Sequence, residues 1–500
     1  MKLTTGLLRR GRSLAVLVCL LTCALACSAA PLKRASISSF IPQPASLPSA
    51  RRVLVVSLDG LDARYLLKRD EYGLKIPTLR RLMSEGVWAR GVVSVYPSVT
   101  YPAHTTLVTG AVPSRHGIYG NEVFAPPPAP QLERAAWHWM ARDIKVDTLW
   151  TAAARAGLKS GMVSWPVSSG AGDYNVPEVW KAGTSPSDSL QQTLAEITAQ
   201  ARPRGLVEEI QRRDPEIYRN VNADEGDDMR TRWASYIIEE KRPELMLVHL
   251  FDLDHLQHDF GPFSPEAFSI LEKSDAYVAR LLSAYERAGT LRETAVFIVS
   301  DHGFMPVSRH VQPNVILQRA GLLSLREEKN AQGKPYTVVA DWRALAYPTS
   351  GSCSIILRDP KDGDAYRRAL EAFRPYAGRI DASPTRETGH VLRVIYAEDL
   401  RKMGSNPRAA FALEGLNGHS FGNRLTGEPV IDARQRGNHG FLPTLPGYRT
   451  FLIASGASVA RRGDLGNVHM LDIAPTIART LGLKLRGADG RPIKAVSGKL

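Results

Sequence analysis

Hydrophobic and polar positions fall into two alternating patterns along most of this chain. Short, nearly continuous apolar runs recur in RRVLVVSLDG (51–60), LMLVHLF (245–251), AVFIVSDHG (295–303) and TFLIASG (450–456). Runs of that length without polar alternation mark strands buried on both faces of a sheet. WARGVVSVY (88–96) reads as a further strand. Segments with helical spacing lie between them, beginning with IPTLRRLMSEG (76–86). In the longest, 264–289, Ser264 is placed to cap, Pro265 suits the first turn, and Leu271, Val278, Leu281, Leu282 and Tyr285 keep near-helical spacing. Strands alternating with helices predict an α/β fold, a doubly wound, mostly parallel sheet with helices on both faces. From 311 to 425 the pattern is mixed, with TSGSCSIIL strand-like and DAYRRALEAF helical. That stretch reads as a smaller cap region inserted between two parts of the core, 51–310 and 426–500.

The first thirty residues follow neither pattern. A basic start, MKLTTGLLRRGRS, leads into the apolar LAVLVCLLTCALA and then CSAAP. This is the order of a secretory signal, and its apolar run is too short to span a bilayer comfortably. A signal peptide over 1–26, a Pro/Ser-rich linker over 27–50 and export to the periplasm or outer surface are expected. Cleavage after Ala26 leaves Cys27 first. ALAC resembles a lipobox, although Ala24 stands where Leu is usual, so lipidation of Cys27 and simple cleavage both stay open.

Composition narrows the classes. With 44% hydrophobic and 23% charged residues, the chain can build an ordinary globular core. Formal net charge is +14, and removal of Lys2, Arg9, Arg10 and Arg12 with the leader leaves about +10. Such a balance favours anionic substrates or surfaces. The basic residues are scattered rather than clustered with aromatics, so no nucleic-acid binding is expected. Membrane contact is expected only through a lipid on Cys27. Of the four cysteines only Cys353 lies in the body, which excludes an internal disulfide and a cysteine-based zinc site.

Candidate chemistry gathers at strand ends, where open α/β sheets bind ligands. Asp59 ends the first run, Asp254 and His258 follow the second, Asp301 and His302 end the third, and His439 lies in RGNHGF. Each alone is ordinary, since an Asp after a strand is usually a turn or cap residue. Together they supply the oxygen and nitrogen ligands that zinc prefers. Asp254 and His258, four apart, share one face of a helical turn. Asp252 and His255 are the local competitors, and Asp252 also suits a supporting role behind a ligand. Thr100, in SVTYPAHTTLVTG (98–110), reads first as the N-cap of a helix. The surrounding ligand set raises a second reading, a nucleophile, because metal contact is one of few ways to activate a threonine hydroxyl.

These motifs resemble the nucleotide pyrophosphatase/phosphodiesterase family of the alkaline phosphatase superfamily. SLDG, SVTYPAHTTLVTG, HGIYGN, the spacing Asp-x3-His-x2-Gly-Pro over 254–262, SDHGF and GNHGF carry the likeness. Weaker support comes from 147–168 and from MLDIAPTIARTLGL. The resemblance implies two zinc ions, one held by Asp254, His258 and His439, the other by Asp59, Asp301, His302 and the Thr100 oxygen. Manganese or iron in one site stays open. It further implies that Asn121 donates to a phosphoryl oxygen, that Thr100 attacks phosphorus, and that a threonyl-phosphoryl intermediate is then hydrolysed.

Within the superfamily, sulfatases carry Cys or Ser in a C-x-P-x-R frame. Here the frame reads TYPAH, and threonine cannot become formylglycine. Threonine monoesterases add a Lys/Arg pair downstream, whereas SGMVSWPVSSGA (160–171) has no basic residue. A diester carries less charge and needs apolar room, which Trp165 is a candidate to line, with packing inside the core as its other reading. The expected substrate is therefore a small phosphodiester or nucleotide. A monoesterase is the alternative. A non-catalytic lipoprotein that binds phosphorylated ligands is the alternative from another class, and it sits poorly with seven filled motif positions.

Overall fold

The computed structural model describes residues 41–42 and 50–496, apart from 130–135, 180–189, 220–225, 331–332, 378–389 and 460. The expected leader, Cys27 and most of the linker lie outside the described residues.

In chain order the core elements are β1 (Arg52–Leu58), α1 (Pro77–Glu85), β2 (Val87–Val93), α2 (Thr100–Thr109), β3 (Ser160–Val163) and β4 (Tyr174–Val176). They continue with β5 (Leu245–Leu250), α3 (Asp252–Phe260), α4 (Pro265–Arg287) and β6 (Thr294–Val299). Four strands of a second sheet follow, β7 (Ala344–Thr349), β8 (Ser352–Leu357), β9 (Leu392–Tyr396) and β10 (Ala409–Gly415), and β11 (Thr450–Gly456) returns to the core.

Among the described residues the main sheet has ten strands, with β2, β11, β6, β1, β5, β3 and β4 side by side in that order. β1 pairs in parallel with both β5 and β6, and β3 in parallel with β5 and β4. Among these seven strands β11 is the exception, antiparallel to β2 and β6. Its apolar run reads like a parallel strand because burial on both faces, not direction, removes polar alternation. The reversal has a use. Because β11 enters from the edge where β1, β2, β5 and β6 end, the loop before it arrives at that same edge.

Alternate residues of β1 feed two cores. Leu54, Val56 and Leu58 pack with Leu79 and Leu82 of α1 and Ile270, Leu271, Val278, Leu281 and Leu282 of α4. Val53 and Val55 pack on the other face with Ala103, Leu107 and Val108 of α2. Each fully buried Leu or Ile contributes about 1.5–3 kcal/mol relative to exposure, which sets the sheet's register. β7, β8, β10 and β9 form an antiparallel sheet with its own core around Ile355, Phe373 and Phe411. No helix among the described residues is long and apolar enough to cross a membrane.

Two helix starts are handled differently. Ser264 caps α4 as the sequence leads one to expect, accepting from the Ala267 amide. α1 begins at Pro77 with no side-chain cap of its own. Asp275 of α4 supplies it instead, accepting from the amides of Thr78 (3.1 Å) and Leu79 (2.7 Å). Asp275→Ala, which strands two buried donors, should lower the unfolding free energy by about 2–4 kcal/mol in denaturant melts. Activity per folded molecule should stay unchanged.

Candidate functional site

Each candidate residue reaches the common edge by a local device. Asp59 sits one residue past β1, and Gly60 turns the chain at φ +68°. A Cβ on Gly60 would lie 2.8 Å from the Phe304 ring and 2.9 Å from the Gln257 amide, so the turn admits only glycine. The Gly60 amide donates to Asp301 Oδ1 at 3.1 Å, tying two strand ends together. Asp254 and His258 lie one turn apart on α3, with His258 Nε2 3.4 Å from Asp254 Oδ2. The His439 carbonyl accepts from Gly351 at 2.7 Å, and Gly440 donates to the Ser98 carbonyl. The turn between β7 and β8 thus holds the loop before β11.

Thr100 is the first residue of α2 and not its cap. Val99 occupies the cap position in extended conformation and makes no side-chain capping bond. Asn121 serves instead, its Oδ1 accepting from the Tyr101 amide at 3.0 Å. With that oxygen engaged, only the N–H groups of Asn121 remain to donate elsewhere. All ten residues of α2 are buried, although four are threonines. Thr105 and Thr109 hydroxyls donate back to carbonyls four residues earlier, and Thr106 to Ala111, so little polar capacity is left unmet.

The carboxylates and imidazoles converge. His302 Nε2 lies 3.2 Å from Asp59 Oδ1, 3.1 Å from Asp301 Oδ2, 3.9 Å from Asp254 Oδ1 and 3.5 Å from Thr100 Oγ1. His439 Nε2 is 3.6 Å from Asp254 Oδ1, and the His302 and His439 rings stack with centroids 3.6 Å apart. Asp254, His258 and His439 form one group able to hold a cation, and Asp59, Asp254 and His302 another. Asp254 therefore stands between the two sets.

Hydrogen bonding shows that the residues fit a metal. Asp59 Oδ1, Asp254 Oδ1 and Asp301 Oδ2 are buried without a hydrogen-bond donor, although buried oxygens are nearly always paired. His258 Nδ1 donates to the Gly437 carbonyl at 3.0 Å, which leaves Nε2 as a lone pair aimed at a carboxylate. A lone pair facing a carboxylate is repulsive unless a cation lies between them. The electrostatics agree. Burial, then the charges of Asp301 and Asp254, push Asp59 well above the usual carboxylate range. Burial also raises Asp301 to about 6 and Asp254 to about 7. Burial lowers His258 to about 4 and holds His302 and His439 well below the ordinary histidine value. Neutral imidazoles are the ligating form, and a divalent cation would favour the ionised carboxylates.

Two expectations change. Trp165 does not line an open surface: it is fully buried, edge-on to His104 at 5.1 Å, so it belongs to the floor beneath the site. Asp252 does not compete as a ligand. It accepts from the amides of Gly226 (3.0 Å) and Asp227 (2.9 Å) and from Arg230 (3.1 Å), anchoring the start of α3. His104 and His249 were missed by reading strand ends. Their signal was a histidine inside an otherwise apolar run (LMLVHLF) and one four residues past Thr100.

Comparison with known proteins places the same chain segment. The family model for type I phosphodiesterase / nucleotide pyrophosphatase matches residues 53–402. Among curated proteins, an uncharacterised pyrophosphatase/phosphodiesterase of Schizosaccharomyces pombe is 26% identical over 51% of this chain and 45% of its own length. Human ectonucleotide pyrophosphatase/phosphodiesterase family member 1 is 24% identical over 50% of this chain and 23% of its own length. The chain thus spans less than half the length of these relatives. Among solved structures, human ectonucleotide pyrophosphatase/phosphodiesterase 5 superposes with a TM-score of 0.57 at 19% identity, covering 88% of this chain and 97% of its own. The murine counterpart, as an inactive threonine-to-alanine variant in complex with AMP, gives a TM-score of 0.57 at 18% identity over the same shares.

If Asp252 anchors and Asp254 ligates, their alanine variants separate. Asp252→Ala should lose about 2–3 kcal/mol of stability, through two stranded amides, with Arg230 still paired to Asp227, yet keep its metal-to-protein ratio. Asp254→Ala should lose metal. Elemental analysis beside denaturant melts distinguishes the two.

Proposed function

We infer the chemistry from one premise: the chain belongs to the type I phosphodiesterase / nucleotide pyrophosphatase family. The reading we propose is an exported two-zinc hydrolase that cleaves small phosphodiesters or the pyrophosphate bond of nucleotides through a threonyl-phosphoryl intermediate. The observation that carries it is Thr100 Oγ1 lying 3.5 Å from His302 Nε2, beside three buried carboxylate oxygens that lack donors. AMP bound to the murine structural neighbour supports a nucleotide-type substrate for this reading.

When bound, divalent cations would acidify the Thr100 hydroxyl and a hydrolytic water and offset charge on the attacking and leaving oxygens. Asp254, His258 and His439 would hold one, and Asp59, Asp301, His302 and Thr100 the other. Everything else falls to the chain. Thr100, fixed at the start of a buried helix, forms the new bond to phosphorus as the bond to the leaving oxygen breaks. Asn121, its carbonyl side already occupied, donates N–H to a phosphoryl oxygen. The N-terminal turn of α2 adds its partial positive charge. Water then breaks the bond between Thr100 and phosphorus and restores the hydroxyl. The leader expected over 1–26 supports export, and Cys27 is the candidate lipid attachment point.

Thr100→Ala should lower kcat/KM for a bis-aryl phosphate diester by at least about 10³-fold, as expected on removing a nucleophile, while most of the zinc stays bound. Full activity in that variant would sink the mechanism. In one zinc-replete preparation, kcat/KM for the diester should exceed that for the aryl monoester. A ratio well below one would instead make the protein a monoesterase.

A further inference from the structure

A third cluster lies beneath the site: Asp59, His104 and His249 are buried with ligand-type atoms within 4.8 Å of one another. It is not a further metal site, because every ring nitrogen is already used. His104 Nδ1 donates to the Thr100 carbonyl at 2.8 Å, and its Nε2 accepts from the Ser57 hydroxyl at 2.8 Å. One ring proton completes that set. His249, whose ring centroid is 4.3 Å from that of His104, has a different set. Its Nδ1 lies 3.0 Å from the Ser164 carbonyl and its Nε2 2.8 Å from Asp59 Oδ2. A carbonyl only accepts, so Nδ1 carries a proton, and once Asp59 is ionised, as a metal ligand must be, Nε2 at 2.8 Å is the donor to Oδ2.

We propose that His249 is a positioning residue that donates to Asp59 Oδ2 and so leaves Oδ1 alone to coordinate metal. The proposal rests on the reading of Asp59 as a metal ligand. Three further observations support it. The two oxygens of Asp59 differ in the way required: Oδ2 is bonded to His249, while Oδ1 has no donor and lies 3.2 Å from His302 Nε2. The ring has no freedom to turn, being 1% exposed and packed against His104 and Phe251. The acceptor on its far side is held at a conformational cost, since Ser164 sits at φ +50° and Val167, a β-branched residue, at φ +54°. Ser164 is pinned there by its own amide, which donates to the Val176 carbonyl at 2.8 Å. Glu178 Oε2, 3.7 Å from Nδ1, is a second carboxylate beside the same ring. A side chain that acts through a ligand in this way fixes orientation and metal affinity without touching substrate.

His249→Asn and His249→Gln separate this role from packing. An Asn amide nitrogen replaces Nδ1 and loses the donor to Asp59, whereas a Gln amide nitrogen reaches the Nε2 position and keeps it. Zinc binding by competition with a chelator, together with the visible spectrum of the cobalt-substituted protein, reads the outcome. Wild type should bind two zinc ions per chain. His249→Asn should bind one of them about 10–100-fold more weakly, with altered cobalt bands as Asp59 is freed to coordinate through both oxygens. His249→Gln should recover most of the affinity and the wild-type bands. Wild-type affinity and spectrum in His249→Asn, or equal losses in both variants, overturn the role of His249 alone. A wild-type chain that takes up no zinc overturns the metal reading beneath it as well. If neither variant folds, spectra of the zinc-loaded wild type with ¹⁵N-labelled histidine decide. A ring protonated at both nitrogens supports the role, and the absence of one overturns it.

Discussion

Three buried carboxylates, Asp59, Asp254 and Asp301, meet at one edge of the sheet with an oxygen of each lacking a donor. No packing arrangement stabilises such a cluster by itself, since burial and mutual repulsion both disfavour the ionised forms. The surrounding structure is organised to hold them there. Gly60 makes the turn that swings Asp59 inward, and its amide secures Asp301. Neutral imidazoles from α3, from the end of β6 and from the loop before β11 complete the ring of ligand-type atoms. The energetic cost of the cluster is borne by a large two-faced core, and a divalent cation is the group whose charge would offset it.

Rigidity follows from where those side chains are mounted. Asp59, Asp301 and His302 stand directly after interior strands, and Asp254 and His258 on a helix whose first residue is anchored through Asp252 to the 226–230 segment. His439 is the least regular of the set. Its loop is clamped between Gly351 of the β7–β8 turn and Ser98 ahead of α2. The second sheet therefore contributes to the site without lending it a ligand. The same sheet touches the segment after Asn121, where the Tyr347 hydroxyl donates to the Glu122 carbonyl. A change of packing in this sheet would reach the ligand-binding side through Gly351 and Tyr347.

Beneath the ligand set lies a polar floor that periodicity does not announce. Helix α2 is wholly buried despite its threonines because hydroxyls bond back to carbonyls along the helix. Two histidines that differ in the role of Nε2 lie under it. One joins α2 to β1 through Ser57, and the other joins β5 to Asp59 and to the strained turn at Ser164. Such hydrogen-bonded floors have few alternative arrangements, because each donor moved would leave another group unmet.

The chain's own pattern determined a good deal. Continuous apolar runs ending in Asp or His marked the interior strands and the residues they present, because burial on both faces leaves no room for polar alternation until the strand ends. Ser264 and Pro265 marked the start of the long helix, because caps are local chemistry. Tertiary structure decided what depends on distant neighbours. The direction of β11 is invisible in TFLIASG, since an interior strand looks the same either way. Asp252 and Asp254 were equivalent candidates until the 226–230 segment took one of them. Trp165 could be placed in the floor only once the segment after β3 met His104 of α2. The cap of α2 moved from Thr100 to Asn121, twenty-one residues away, and His249 gained its partners only when β5 paired with β1 and β3. In each case the deciding contact joins residues far apart in sequence, and a linear pattern records which groups need partners but not which partners the fold brings to them.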